Sequence, residues 1–150
     1  MSDLFSKDTI ELGIPRQGKA EILDFMARRL AKAGVIKDFA AYRQAIDARE
    51  ALSTTGIGFG IAIPHAKSAA VLSPRVGVGI SKEGVDFGSD DGEYVHLIFM
   101  IAVPEESNDL HLRTLAALST KLIDPVYRQH LLECCTADDV FNLLQAIELG

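Results

Sequence analysis

Four histidines, one arginine on an otherwise apolar helical stripe and one glycine-rich segment are where this sequence holds its chemistry. The segment runs Ser53-Thr54-Thr55-Gly56-Ile57-Gly58-Phe59-Gly60-Ile61-Ala62-Ile63-Pro64-His65-Ala66-Lys67. Its alternating glycines allow left-handed backbone or a close approach that a side chain would forbid. Ile61-Ala62-Ile63 reads as a brief buried strand, and Pro64 holds Ile63 extended while fixing its own φ. His65 is thereby delivered just beyond a strand end, with little freedom to move. An imidazole so presented suits reaction with a partner, and a histidine that merely caps the strand is the plainer alternative.

His111 falls in the first turn of a helix expected after Ser107-Asn108-Asp109. Free backbone N–H groups and the positive end of the helix dipole gather there and suit a phosphate or carboxylate. A solvated polar residue at a helix start is the competing reading. His96 opens a buried strand and reads as structural; His130, mid-helix beside Leu131, is given no role. Arg49 lies three residues after Ile46, on the apolar stripe near its helix C-terminus. A cation facing inward needs an anion or carbonyl partner. Arg49 either satisfies the last carbonyls of its own helix or offers phosphate oxygens a bidentate fork that lysine lacks.

The common site signatures are missing. The glycine segment has neither the GxGxxG spacing of a dinucleotide loop nor the Gly-Lys-Ser/Thr of a P-loop. HExxH, a Cys/His cluster with metal spacing and GxSxG are also absent from the sequence, so no metal, no cofactor and no serine hydrolase is expected. What remains is a histidine nucleophile supported by an arginine and a second histidine. That set fits reversible phosphorylation on nitrogen, because imidazole is a good nucleophile near neutral pH and its phosphorylated form passes the group onward.

The elements that must hold these groups alternate between strand and helix. Thr9 to Leu12 is a candidate short strand. Lys19 to Lys32 carries helical spacing and is stopped by Gly34. A second helix starts after the N-cap Asp38 and runs to about Ala51, with Phe39, Tyr42, Ile46 and Arg49 on one face. Arg75 to Ile80 is a strand whose Gly77 and Gly79 face implies close packing of another element. Asp90-Asp91-Gly92-Glu93 is a turn, and Tyr94 to Val103 a central strand covered on both sides. A helix from about Asp109 to Ile123 is expected to carry Leu112, Leu115, Ala116, Ser119 and Leu122 on one face. Asp124-Pro125 opens another helix to about Cys134, and Thr136-Ala137-Asp138-Asp139 caps the last one. The expected class is α/β: one domain over residues 1–150, with a mixed β-sheet flanked by helices on both faces.

The 150 residues carry a formal charge of −6 with no basic stripe, which argues against nucleic-acid binding. No apolar run reaches membrane-spanning length and no signal pattern opens the chain, so direct membrane insertion is not expected and residence is read as cytoplasmic. Cys134 and Cys135 are adjacent and read as buried packing rather than a disulfide framework. Met1 and a helical ending at Gly150 suggest a standalone protein.

Ser53 to Lys67 resembles the signature around the phosphorylated histidine in the enzyme IIA component of the bacterial phosphoenolpyruvate-dependent sugar phosphotransferase system, fructose–mannitol class. Asp47-Ala48-Arg49-Glu50, Asp91-Gly92-Glu93, His96 to Glu105 and His111 to Ser119 extend the likeness over nearly the whole chain. The fructose type is the most similar. The resemblance implies that His65 accepts a phosphoryl group through Nε2 from the phosphohistidine of the carrier HPr. It would then pass the group to a cysteine of enzyme IIB, which serves the membrane enzyme IIC permease. His111 would hydrogen-bond the phosphoryl oxygens, and Arg49 would offset the developing charge. Phe59 departs from the family, in which a polar residue such as Asn or Glu is common here; it either widens an apolar docking surface around His65 or packs inward. Standalone relatives that regulate through protein contacts are the alternative reading.

Overall fold

The computed structural model describes residues 4–14 and 18–147. A 3-10 turn at Lys7–Thr9 leads into strand β1 (Ile10–Glu11), then helices α1 (Lys19–Lys32) and α2 (Phe39–Leu52). Three short strands follow, β2 (Gly56–Gly58), β3 (Ile61–Ala62) and β4 (His65–Ser68), and two long ones, β5 (Arg75–Val85) and β6 (Val95–Pro104). Helices α3 (Leu110–Leu122), α4 (Pro125–Glu133) and α5 (Ala137–Leu144) close the described chain. The helical ending expected at Gly150 lies outside the described residues.

Capping residues set most helix boundaries where the sequence indicates them. Asp38 accepts the Ala41 N–H at 3.1 Å, Asp124 that of Val126 at 2.9 Å and Thr136 that of Asp139 at 3.1 Å. Each such bond stabilises its helix by about 1 kcal/mol. Gly34 follows the C-cap of α1 at φ 86°, the left-handed turn that ends a helix.

β6 is the centre of the sheet. β5 pairs antiparallel along one side of it, and β1 extends that side in parallel with β5. Along its other side β3 and β4 pair in parallel one after the other, Ile61 with Leu97 and His65 with Ile101. β2 folds back antiparallel on β3. The sheet is therefore mixed, and its two faces are covered by different helices. Leu97, Phe99, Ile101 and Val103 of β6 join Val76, Val78 and Ile80 of β5 in a core with α3, α4 and α5. Ile98, Met100 and Ala102 face the other way, into a core with α1 and α2. A strand buried on both faces must be apolar at every position, which explains the unbroken run from Leu97. Gly77 and Gly79 are where α1 and the segment before it come closest: a Cβ on Gly79 would stand 2.6 Å from Cδ1 of Ile14, ahead of α1, and 3.0 Å from Sδ of Met26 in α1.

Four expectations need correction. The strand at Thr9 to Leu12 shrinks to two residues because Thr9 belongs to the preceding 3-10 turn. His65 does not lie in a loop beyond a strand: pairing with β6 resumes at once after Pro64, so His65 opens β4. The buried face of α3 is Thr114, Leu118 and Leu122, while Leu112 and Ala116 are exposed. The i, i+4 run through Thr114 and Leu118 competes with the Leu112–Leu115–Ala116 stripe, and the Thr114 hydroxyl fits inside by donating to the Leu110 carbonyl at 2.8 Å. Cys134 is buried and Cys135 exposed, both unpaired.

Candidate active site

The glycine segment forms a hairpin from β2 to β3. Gly58, Phe59 and Gly60 have φ of 94°, 60° and 76°, so three successive residues are left-handed. Such a turn matches the twist of a tight hairpin, and glycine enters it without steric cost. Phe59 does so at a cost of about 1–2 kcal/mol. The Phe59 N–H is held by Asp91 Oδ2 at 3.2 Å. Phe59 as a whole is 67% exposed, so it is not packed inward; the Arg128 guanidinium lies 5.0 Å from the ring centroid.

The interruption between β3 and β4 is what frees the next side chain. The Ile63 N–H turns away from β6 to the Thr55 carbonyl at 3.0 Å, and the Pro64 carbonyl accepts the Ile101 N–H at 2.9 Å. His65 is 8% exposed, and its Nδ1–H donates to the Ile63 carbonyl at 2.8 Å. A carbonyl can only accept, so the bond requires the proton on Nδ1 and leaves Nε2 with its lone pair. Ala66, the next residue, belongs to the α1/α2 core, so strand alternation turns His65 and Lys67 to the α3 side.

Arg49 stands at the last turn of α2, where its Nη1 donates to the Ser53 carbonyl at 2.9 Å. That contact satisfies the helix-end reading and leaves the remaining guanidinium donors for an anion. His111 is the second residue of α3 and half-buried. Its Nδ1 is buried without a hydrogen-bond partner among the described residues, the kind of polar atom that calls for explanation at a site. The side chain of Asp109 makes no capping bond to α3 and accepts instead from Arg113 Nε at 3.2 Å. Lys67 reaches the mouth of the same helix, its Nζ donating to the Asn108 carbonyl at 2.7 Å; Asn108 itself is left-handed at φ 55°.

The electrostatics tie these groups together. Burial lowers the pKa of His65 below its ordinary 6.5, the Ile63 hydrogen bond opposes this, and Arg49 and Glu50 pull in opposite directions. Burial also lowers that of His111, followed by the positive charge of Lys67 and the neighbouring His65. Both imidazoles are thus favoured as free bases at neutral pH, with the cations Arg49 and Lys67 opposed by the anions Glu50 and Asp109. The structure brings His65, His111 and Arg49 to one end of the sheet. His96 makes the same kind of bond, Nδ1 to the Ser81 carbonyl at 2.8 Å, but its ring packs beside Gly60 and Gly84, apart from the other three groups. Lys67 and Glu50 join the site; both lie inside the motifs that carry the family resemblance, where neither was given a role. Lys67 was findable from the two-residue period of a strand beginning at His65, had that strand been recognised.

A mixed six-stranded sheet with helices on both faces is the architecture shared with solved IIA proteins. The nitrogen regulatory protein IIA-Ntr of Neisseria meningitidis superposes with a TM-score of 0.86 at 29% identity, over 95% of this chain and 97% of that one. Enzyme IIAMTL of Escherichia coli, solved in complex with phosphorylated enzyme IIBMTL, gives 0.82 at 28% identity, over 95% and 99%. Residues 3–147 match the family described as phosphoenolpyruvate-dependent sugar phosphotransferase system, EIIA 2, and the chain belongs to that family. It is 45% identical over 144 residues to the PTS system fructose-specific EIIABC component of Bacillus subtilis, covering 96% of this chain and 23% of that protein. It is 37% identical to the PTS system fructose-specific EIIA component of Haloferax volcanii, over 98% of this chain and 96% of the relative. The chain thus spans under a quarter of the first relative and nearly all of the second.

Proposed function

We propose that this protein is a phosphocarrier of a sugar phosphotransferase system, acting in the cytoplasm as a single domain over residues 1–150. The observation that carries the reading is the Nδ1–H bond of His65 to the Ile63 carbonyl, which leaves the Nε2 lone pair as the nucleophile. Nε2 attacks the phosphorus of the phosphohistidine on HPr. The new N–P bond forms as the donor's N–P bond breaks, and the donor imidazole leaves with the electron pair. The second transfer repeats the exchange with a cysteine thiolate of enzyme IIB as the nucleophile and His65 as the leaving group, for uptake through the membrane enzyme IIC. Covalent work is confined to Nε2, so position and charge decide the rate. Arg49 offers its free donors to the phosphoryl oxygens, and His111, at the positive end of α3, adds a hydrogen bond. The fructose-specific relatives support sugar transport over nitrogen regulation as the role.

The test has two stages. Protein incubated with phosphoenolpyruvate, enzyme I and HPr should gain acid-labile phosphate, and His65→Ala should gain none. A chase with a fructose-type IIB domain should then discharge the label. Labelling of His65→Ala overturns the assignment of the nucleophile. Label that loads on the native protein but moves to no IIB favours the regulatory reading, supported by the likeness to IIA-Ntr.

A further inference from the structure

Glu50 is the one acidic residue among those drawn to this site whose charge is withdrawn from water: 7% of its side chain is exposed. Three donors converge on its carboxylate. Lys19 Nζ lies 2.8 Å from Oε2 and the Thr55 N–H 3.2 Å from the same oxygen, while the Thr55 hydroxyl donates to Oε1. Lys19, the first residue of α1, also stands 4.7 Å from the Phe87 ring centroid. Burying a carboxylate costs several kcal/mol unless it is paired and fully hydrogen-bonded, and here it is both. Transfer chemistry as set out above gives it no task. Yet the residue it grips leads to the nucleophile. The Thr55 carbonyl accepts the Ile63 N–H at 3.0 Å, and the Ile63 carbonyl accepts Nδ1–H of His65 at 2.8 Å.

We infer that Glu50, held in place by Lys19, is a positioning residue that fixes the tautomer and ring orientation of His65 through Thr55 and Ile63. Its consequence for rate rests on the phosphocarrier reading; its geometry does not. The charged and titratable groups around His65 are Arg49 and Glu50 from α2 and His111 from α3, with Lys67 of β4 acting on His111. Glu50 is the negative one of the two charges that act on His65, and Lys19 is its counter-ion.

The experiment follows the His65 ring by NMR in the full chain across a pH titration. Glu50→Gln removes the negative charge and one of the two acceptor oxygens. His65 should then titrate lower, populate both neutral tautomers, and load from phospho-HPr about 10- to 100-fold more slowly. Lys19→Met leaves the Glu50 charge unopposed and should shift the titration upwards. Glu50→Asp keeps the charge but shortens the reach to Thr55; its titration should stay near the native value while loading slows. Opposite shifts in Glu50→Gln and Lys19→Met report charge alone, as any nearby ion pair would give; the loss of a single His65 tautomer in Glu50→Gln, and slowed loading at a native titration in Glu50→Asp, are what a merely structural pair would not produce. The inference is overturned if His65 keeps a single Nδ1–H tautomer in Glu50→Gln, or if Glu50→Asp loads at the native rate. Should the native protein take no phosphate, the phosphocarrier reading fails, while the titrations still decide on Glu50.

Discussion

The hydroxyl of Tyr42 donates to the main-chain carbonyl of Ile101 at 3.1 Å, and Ile101 is the residue that β6 sets opposite His65. The ring is fully buried, which pushes its phenol ionisation far above the ordinary value. One hydrogen bond thus locks α2, which carries Arg49 and Glu50, to the strand beside the nucleophile. Tyr42→Phe keeps the packing and leaves the Ile101 carbonyl without that donor. It should cost about 0.5–1.5 kcal/mol in urea denaturation, and phosphoryl loading should slow along with it.

Arg49 and His111 should fail differently. Arg49→Lys keeps the charge but loses the planar fork, so loading by phospho-HPr should fall in rate while the final extent of labelling is kept. His111→Ala should load slowly and lose its label faster, because a hydrogen bond to the phosphoryl oxygens is gone. Initial rates and the lifetime of the isolated phosphoprotein separate the two effects.

The two site histidines make stability depend on pH in a set direction. Both have folded pKa values lowered from 6.5, chiefly by burial. Between those lowered values and 6.5 the unfolded chain binds more protons than the folded one, so stability rises with pH across that window. Their full contribution is present above 6.5 and is lost as pH falls through it towards the lowered values. Urea midpoints from about pH 5 to about pH 8 should show a shallower slope in a His65→Ala, His111→Ala double variant than in the native protein.

The glycines of β5 are not equivalent. A Cβ at Gly77 would meet Met26 and Leu30 at 3.4–3.5 Å, ordinary contact, whereas at Gly79 it would overlap Ile14 and press on Met26. Gly79→Ala should therefore destabilise by about 1–3 kcal/mol, and Gly77→Ala by less. A reversed order in chemical denaturation would contradict the close approach of Ile14 and Met26 at Gly79.

Phe59 holds a left-handed conformation that asparagine tolerates far better. Phe59→Asn relieves that strain and gives up the contact with Arg128, an exposed cation–π pair worth about 0.5–1 kcal/mol. Thermal or urea melts should show native stability or a gain of up to about 1 kcal/mol. A clear loss would mean that the exposed ring is more important to the fold than its surroundings indicate.

Helix positions were legible in the sequence because caps are local: Asp38, Asp124 and Thr136 each bind an N–H two or three residues on. β6 was legible because burial on both faces leaves no polar position after His96. β2 and β4 were not, since neither Gly56–Gly58 nor His65–Ser68 has a strand's alternation, and both exist only through pairing partners elsewhere in the chain. The buried face of α3 was misread because Thr114 is polar by type and apolar only after it bonds Leu110. At the site, His65, His111 and Arg49 could be picked out as residues. The network joining Glu50 to His65 runs through main-chain groups of Thr55 and Ile63, which leave no mark on residue type.

β3, β4 and β5 all pair with β6, which is made after every one of them. A growing chain therefore carries His65 for some thirty residues of synthesis before any strand exists to receive it. Until Pro104 has left the ribosome, β3, β4 and β5 lack the neighbour they share, and only the β1–β5 and β2–β3 pairings can form. It follows that in nascent chains truncated before Val95 the β4 segment should be open to proteases, and that His65 should become protected in one step when β6 arrives.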